Sequence, residues 1–182
     1  ATLPTGGYTI AGEEHLAAIS GFGSPLPLEL TRMAGFAGKP LVYSTTNGTV
    51  ALRRSMAADA VYAAALLNAQ ATLDHAELQH PGKPLVIVCA GSAGALNLED
   101  FHAAGCLVAL LAGRLNPARA FSDTALAAWA AYRGDDSISA VAASRIGRIV
   151  RGVGNDDEVR HASQLNTLDL VAVLRGDRIV QT

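Results

Sequence analysis

The residues best suited to chemistry fall in two short stretches. In the first, STTNGT at Ser44–Thr49, a serine, three threonines, an asparagine and a glycine stand between a short apolar run, GKPLV, and a helix-like run, VALRRSMAADA. A turn needs only two or three such residues. Backbone amides at a helix start are unpaired and carry partial positive charge. The hydroxyls of Thr45, Thr46 and Thr49 and the amide of Asn47 could complete an anion cradle around them. Gly48 after Asn47 would then supply a tight turn with positive φ. The plainer account is that the Thr and Asn side chains only cap the helix and Gly48 only turns the chain.

The second stretch is VIVCAGSAGALNLED, Val86 to Asp100. A strand is expected to end at Cys89, a loop holding Gly91 and Ser92 follows, and a helix begins near Leu98 with Asn97 as its cap. Glu99 and Asp100 fall in the first turn, where a carboxylate favours the helix dipole by about 0.3–1 kcal/mol. They could instead hold a hard cation, or position water, beside an anion bound at the first stretch. AGSAG also nearly matches the GxSxG nucleophile elbow, with Ala90 in place of the first glycine. Ser92 would be the nucleophile, with Asp135 or Asp136 and then His161 completing a triad. An elbow serine should lead straight into a helix, however, and here ALN intervenes.

Other polar clusters carry weaker signals. His102 and Cys106 lie one turn apart on one predicted helix, half of a zinc site, but no partner pair has matching spacing. A partly exposed histidine and a core cysteine are expected instead. NDDEV, Asn155 to Val159, reads as a capped helix start with solvated charges. Arg53 and Arg54 read as a solvated helix face one turn beyond TTNGT.

These residues need a frame. With 182 residues a single domain spanning 1–182 has room for a core. Half the residues are hydrophobic and only 5% aromatic, an excess carried by alanine that points to closely packed helices. A net charge of −2 gives no electrostatic reason for nucleic-acid binding. The longest apolar stretch, AAGCLVALLAG, is too short to span a bilayer, so no membrane partner is expected. Cys89 and Cys106 form no CxxC pair and read as buried free thiols in a reducing cytoplasm. The opening ATLPTGGYTIAGE reaches a strand-like run almost at once, and an N-terminal portion is expected to be missing.

Strands are predicted at Tyr8–Ala11, Pro40–Ser44, Ala60–Ala64, Pro84–Cys89, Val171–Leu174 and Arg178–Val180. Helices are predicted at Val50–Ala57, Asn68–Gln79, Leu98–Leu115, Asp123–Tyr132, Ile138–Val150 and Asp156–Leu165. The long segment GFGSPLPLELTRMAGFAG reads as a surface or active-site loop. Alternating strands and helices imply an α/β protein with a mainly parallel sheet. The final pair, joined by RGD, is a hairpin that makes the sheet mixed. In such sheets ligands bind beyond the carboxyl ends of the strands, so TTNGT and CAGSAG should share one site.

Taken together the chain resembles the 2-phosphosulfolactate phosphatase family. The resemblance runs through AGE at Ala11–Glu13, GF at Gly21–Phe22, PLEL at Pro27–Leu30 and TTNGT at Thr45–Thr49. It continues through CAGSAGALNLED at Cys89–Asp100 and the ending VAVLRGDRIV, so it covers nearly the whole chain. It implies a three-layer α/β/α sandwich and magnesium-dependent phosphatase activity on a phosphate monoester of a small acid such as 2-phosphosulfolactate. Archaeal members act in coenzyme M biosynthesis. The family's N-terminal strand and helix, with a DVLRAT-like motif, have no counterpart here. Glu14 stands where the family has a base, Gly23 falls in GFGSPLP where the family reads GFDxGNSP, and Val50 stands where Arg or Lys is frequent.

On this resemblance Asp100, Glu13 and Asn47 are expected to be catalytic. Thr45, Thr46, Gly48, Thr49, Gly91 and Ser92 would bind substrate, and Asp100 and Glu99 would hold Mg²⁺. The departures leave a non-catalytic homologue that binds a small anion as the first alternative, and a Ser92 hydrolase as the second. A homodimer is left open.

Overall fold

The computed structural model describes residues 7–33, 35, 37–114, 120–132 and 136–182. The chain begins with β1 (Thr9–Glu14), which turns back into the short β2 (Ala17–Ala18). After a helix, α1 (Pro27–Arg32), strand β3 (Leu41–Ser44) lies parallel to β1, from Thr9 opposite Leu41 to Gly12 opposite Ser44. The first sheet therefore has the order β2-β1-β3 and is mixed. Helix α2 (Gly48–Arg54) follows directly, so TTNGT sits where β3 ends and α2 begins.

A second sheet joins β4 (Tyr62–Ala63) to the terminal hairpin of β5 (Ala172–Arg175) and β6 (Arg178–Gln181), all antiparallel. Between them run α3 (Ala69–Gln79), α4 (Leu98–Ala112), α5 (Asp123–Ala131), α6 (Ser137–Ala143), α7 (Arg145–Gly152) and α8 (Asp156–Ala162). The core sits among these helices. Leu73 of α3, Leu107 and Leu111 of α4, Val141 of α6 and Val159 of α8 form it together with Leu66 and Cys106. Helix α4 is the most enclosed element, with seven buried residues in its fifteen. Small residues such as Ala104 and Ala128 let α4 and α5 approach closely, which is where the alanine excess is used.

The described ladders form two three-stranded sheets, not one, and parallel strand pairing is confined to β1 and β3. The run Pro84–Cys89 is the reason. Its side chains alternate as a strand's should: Leu85 and Ile87 pack on the helical core, while Val86 and Val88 are 83% and 57% exposed. Yet its backbone makes no hydrogen bond to any described residue. Alternation follows from which face is covered, whereas a ladder needs a neighbouring strand alongside.

Three further expectations change. The predicted helix Ile138–Val150 is two helices, broken at Ser144. This serine is extended (φ −62°, ψ 161°), is buried, and accepts the Gly147 amide at 2.9 Å as the cap of α7. Apolar periodicity runs across the break because α6 and α7 face the same interior.

The long Gly/Pro segment contains α1. Its Pro27 suits a first helical position. Its first amides, Leu28 and Glu29, are accepted by Glu158 of α8 at 3.2 and 3.1 Å. Glu158 is therefore a buried capping carboxylate and not a solvated charge. Last, His102 is buried against Ser137 (Nε2 to Oγ, 2.9 Å) and the Tyr132 ring. It belongs to the α4–α6 contact, and burial holds its pKa below the ordinary imidazole value. The end of the helix predicted to reach Leu115, and Asp135, lie outside the described residues.

Candidate functional site

The site is assembled at the carboxyl ends of β1, β3 and the 84–89 run. Gly12 opens it. A Cβ there would lie 2.0 Å from the carbonyl oxygen of Ser44, so only glycine lets β1 and β3 meet at this height. The next residue, Glu13, thus faces the start of TTNGT. Its Oε1 accepts the Thr46 amide at 2.7 Å, and its Oε2 accepts the Leu16 amide at 2.6 Å and the Thr46 hydroxyl at 3.1 Å. The Thr46 hydroxyl oxygen accepts in turn from the His15 amide at 2.8 Å. Partial burial would raise the Glu13 pKa, but the amides of Thr46 and Leu16, the Thr46 hydroxyl and the nearby His15 outweigh it, leaving the carboxyl below its ordinary value.

Within TTNGT the donors of Thr49 serve the loop itself. The Thr49 hydroxyl donates to the Thr45 carbonyl at 2.8 Å, and Thr45 Oγ1 lies 3.5 Å from the Thr49 amide. Gly48 is the first residue of α2 and has no positive φ, so the expected Asn-Gly turn does not form. Asn47 occupies the N-cap position but its side chain caps nothing. Its Nδ2 instead donates to Ser92 Oγ at 3.2 Å, in the second loop.

That loop is a two-residue hairpin turn. Ser92 and Ala95 exchange backbone hydrogen bonds, both 2.9 Å, around Ala93 and Gly94 at φ 50° and 77°. Gly91 precedes it at φ 66°, where a Cβ would fall 2.6 Å from the Ala95 carbonyl oxygen. The Gly91 amide donates to Asp100 Oδ2 at 2.7 Å. Burial raises the Asp100 pKa most, the Gly91 amide lowers it, and the charge of Glu99 raises it again, so that it stays above the ordinary value. Asn97 stands at the N-cap of α4 without a side-chain cap bond.

One run of contacts thus reaches from Glu13 through the Thr46–Asn47 loop and Ser92–Gly91 to Asp100. Expected residues left outside it are few. His161 and Asp136 make no hydrogen bond to Ser92, whose described side-chain partner is Asn47. Glu14 and Val50 are exposed, as are Arg53 and Arg54. Gly23 forms a bridge to Ala11, its amide donating to the Ile10 carbonyl at 2.9 Å. Two participants carried no sequence signal. The Leu16 amide comes from a turn in which His15 and Leu16, neither a glycine, have φ 52° and 67°. The Tyr43 hydroxyl donates to the Pro25 carbonyl at 2.6 Å and ties β3 to the segment before α1.

A family model described as 2-phosphosulpholactate phosphatase matches residues 1–177. The chain belongs to the 2-phosphosulfolactate phosphatase family. It is 34% identical over 176 residues to a probable 2-phosphosulfolactate phosphatase of Symbiobacterium thermophilum, covering 95% of this chain and 74% of that protein. A protein of the same description from Deinococcus radiodurans is 34% identical over 167 residues, 91% of this chain and 68% of the relative. One from Clostridium perfringens strain SM101 is 31% identical over 172 residues, 93% and 68%. The family is one of hydrolases.

The first turn of α4 carries two adjacent carboxylates, Glu99 and Asp100. Glu99 Oε2 is buried and has no hydrogen-bond partner among the described residues. Asp100, beside it, commits only Oδ2, to Gly91. Among the described residues no group of three or more His, Cys, Asp and Glu is placed to share an ion. Two carboxylates with water and phosphate oxygens completing the shell is how Mg²⁺ is commonly held.

Proposed function

We propose that this family member is a magnesium-dependent phosphatase that hydrolyses a phosphate monoester of a small acid such as 2-phosphosulfolactate. The observation that carries the reading is the Asn47–Ser92 contact, which sets the two loops of the family's motifs side by side. The amides of Gly48 and Val50, at the start of α2, and the second N–H of Asn47 Nδ2 remain for an anion. Among the described residues the Thr45 hydroxyl accepts from the Thr49 amide and donates to none. Thr46 and Thr49 support the loop from behind.

Asp100 and Glu99 would hold the Mg²⁺, which supplies charge neutralisation and polarises phosphoryl oxygens when bound. Asp100 has one carboxylate oxygen left beside the one that Gly91 engages, and that oxygen would ligate the ion or orient the attacking water. Ser92 is held by Asn47 and has no histidine to activate it, so it serves as a contact of the anion loop. The same reading takes residues 1–182 as a single domain in a three-layer α/β/α arrangement, in the cytoplasm, where the free thiols Cys89 and Cys106 stay reduced.

A non-catalytic anion-binding homologue is favoured by one feature: Val50, in the first turn of α2, is 41% exposed where a basic residue would add charge. Phosphate release from 2-phosphosulfolactate, with Mg²⁺ and with chelator, is the deciding assay. Release that requires the metal is the expected result. Saturable binding of the ester without release under any divalent metal would replace the phosphatase with the binder.

A further inference from the structure

We propose that Glu13 is a positioning residue, whose carboxylate fixes the Thr46 backbone and thereby sets the loop that presents Asn47 and the α2 amides to the ligand. This rests on the anion-binding side of the reading above, but assigns Glu13 a task distinct from handling metal or water.

The donor inventory makes the case. An ionised carboxylate only accepts, and here three donors converge on it: two amides at 2.7 and 2.6 Å and the Thr46 hydroxyl at 3.1 Å. Thr46 has a single hydroxyl proton, and that proton goes to Glu13. Its oxygen is taken by the His15 amide. Thr46 therefore has neither amide nor hydroxyl proton left for a substrate, although it lies in the middle of the most donor-rich stretch of the chain. A carboxylate engaged on both oxygens is also poorly placed to ligate a hard cation, in contrast to Asp100, which uses one.

The cage ties three segments together. The end of β1 carries Glu13. The β1–β2 turn carries His15 and Leu16, both at positive φ, a conformation that non-glycine residues keep only when their surroundings impose it. The third segment is the β3–α2 loop. Gly12 brings these into register independently of any charge, because its missing Cβ is what lets Ser44 approach. Thr46 immediately precedes Asn47, whose amide reaches Ser92 at 3.2 Å. Anything that loosens Thr46 shifts that contact and the first amides of α2 with it.

The test uses the whole chain and reads the Thr46 amide by NMR. In the unaltered protein the Thr46 amide proton should move with a carboxylate-range midpoint below the ordinary Glu value. Tyr43, whose hydroxyl is pushed up by burial and by the charges of Glu13 and Glu158, ionises well above that range, and the loss of the titration in Glu13→Gln assigns it to Glu13. Glu13→Gln should abolish the titration. It should also weaken binding of inorganic phosphate, followed at the Gly48 and Val50 amides, and raise KM, each by roughly tenfold, with kcat altered by no more than about threefold. The affinity for Mg²⁺ should not change. Glu13→Asp, with a carboxylate too short for the same reach, should resemble Glu13→Gln. A Mg²⁺ affinity that falls in Glu13→Gln would make Glu13 a ligand and overturn the proposal, as would a Thr46 amide indifferent to pH in the unaltered protein. A parent that releases no phosphate overturns the phosphatase reading alone, since the amide titration and phosphate binding still judge Glu13.

Discussion

Glu13 and Asp100 perform the same local task on opposite sides of the site, and they do it in opposite electrostatic conditions. Each accepts a backbone amide of a loop that follows an extended run, Thr46 after β3 in one case and Gly91 after residues 84–89 in the other. Glu13 collects three donors near a hairpin end, and its pKa is pulled down. Asp100 has one donor, deeper burial and a carboxylate neighbour, and its pKa is pushed up. A carboxylate that accepts three hydrogen bonds has only one of its roughly four acceptor sites left. One that is burdened with uncompensated charge gains from a cation or a proton. On the function proposed above, the difference would give a structural task to the Glu13 clamp and a reactive one to the Asp100 clamp.

The largest expected effect breaks the Asp100 side. Asp100→Asn keeps an oxygen that can accept the Gly91 amide but removes the charge. Mg²⁺-dependent phosphate release should fall by roughly a hundredfold or more, the scale of one transition-state interaction, while the melting temperature stays within a few degrees. Full activity with a lowered melting temperature would reduce Asp100 to a helix-start residue.

Gly91→Ala strikes the same loop through its backbone. At φ 66°, with a carbonyl oxygen 2.6 Å from the new Cβ, strain of about 1–3 kcal/mol is expected. Both activity and thermal stability should drop, activity by about tenfold. A variant indistinguishable from the parent in both assays would mean that the hairpin does not set the site.

Smaller, but most direct for the comparison, is the pH dependence of stability. Glu13, with a folded pKa below its unfolded value, contributes stability that is present above its ordinary 4.5 and lost as pH falls through the folded value. Asp100, with a folded pKa above its ordinary 3.8, does the reverse: its contribution is present below that value and lost as pH rises through the folded one. Denaturation curves of Glu13→Gln should therefore converge on the parent in acid and fall below it near neutrality. Those of Asp100→Asn should meet or exceed the parent near neutrality. Parallel curves would show that the two clamps do not differ.

The smallest effect concerns Cys89. Burial, and then the charge of Asp100, raise its thiol pKa. Alkylation of the native protein, followed by mass spectrometry, should be slow at Cys89 and slightly faster in Asp100→Asn. Fast labelling of Cys89 in the parent would contradict the placement of Asp100 beside it.

Several features of this protein could be read from residue types alone. TTNGT and CAGSAGALNLED announced two loops because clustered small polar residues and glycines between apolar runs have few other uses, although only the first follows a paired strand. The helices α3, α4 and α5 followed from long alanine-rich runs, and the terminal hairpin from short strands about a tight turn. Local composition could not reveal α1, whose six residues are capped by a carboxylate from α8 far along the chain. Nor could it reveal the break at Ser144, where periodicity continues across two helices.

Family membership and the position of the loops were local properties, written in which side chains follow one another. The use of each donor was not. That Thr46 gives both its protons to Glu13, that Asn47 reaches across to Ser92, and that Asp100 bonds Gly91 all depend on distances between segments remote in sequence. The 84–89 run makes the same point from the side of the fold. Its alternating pattern specifies which side chains face the core, but a hydrogen-bond ladder needs a second backbone at the right spacing, and only the tertiary arrangement decides whether one is there.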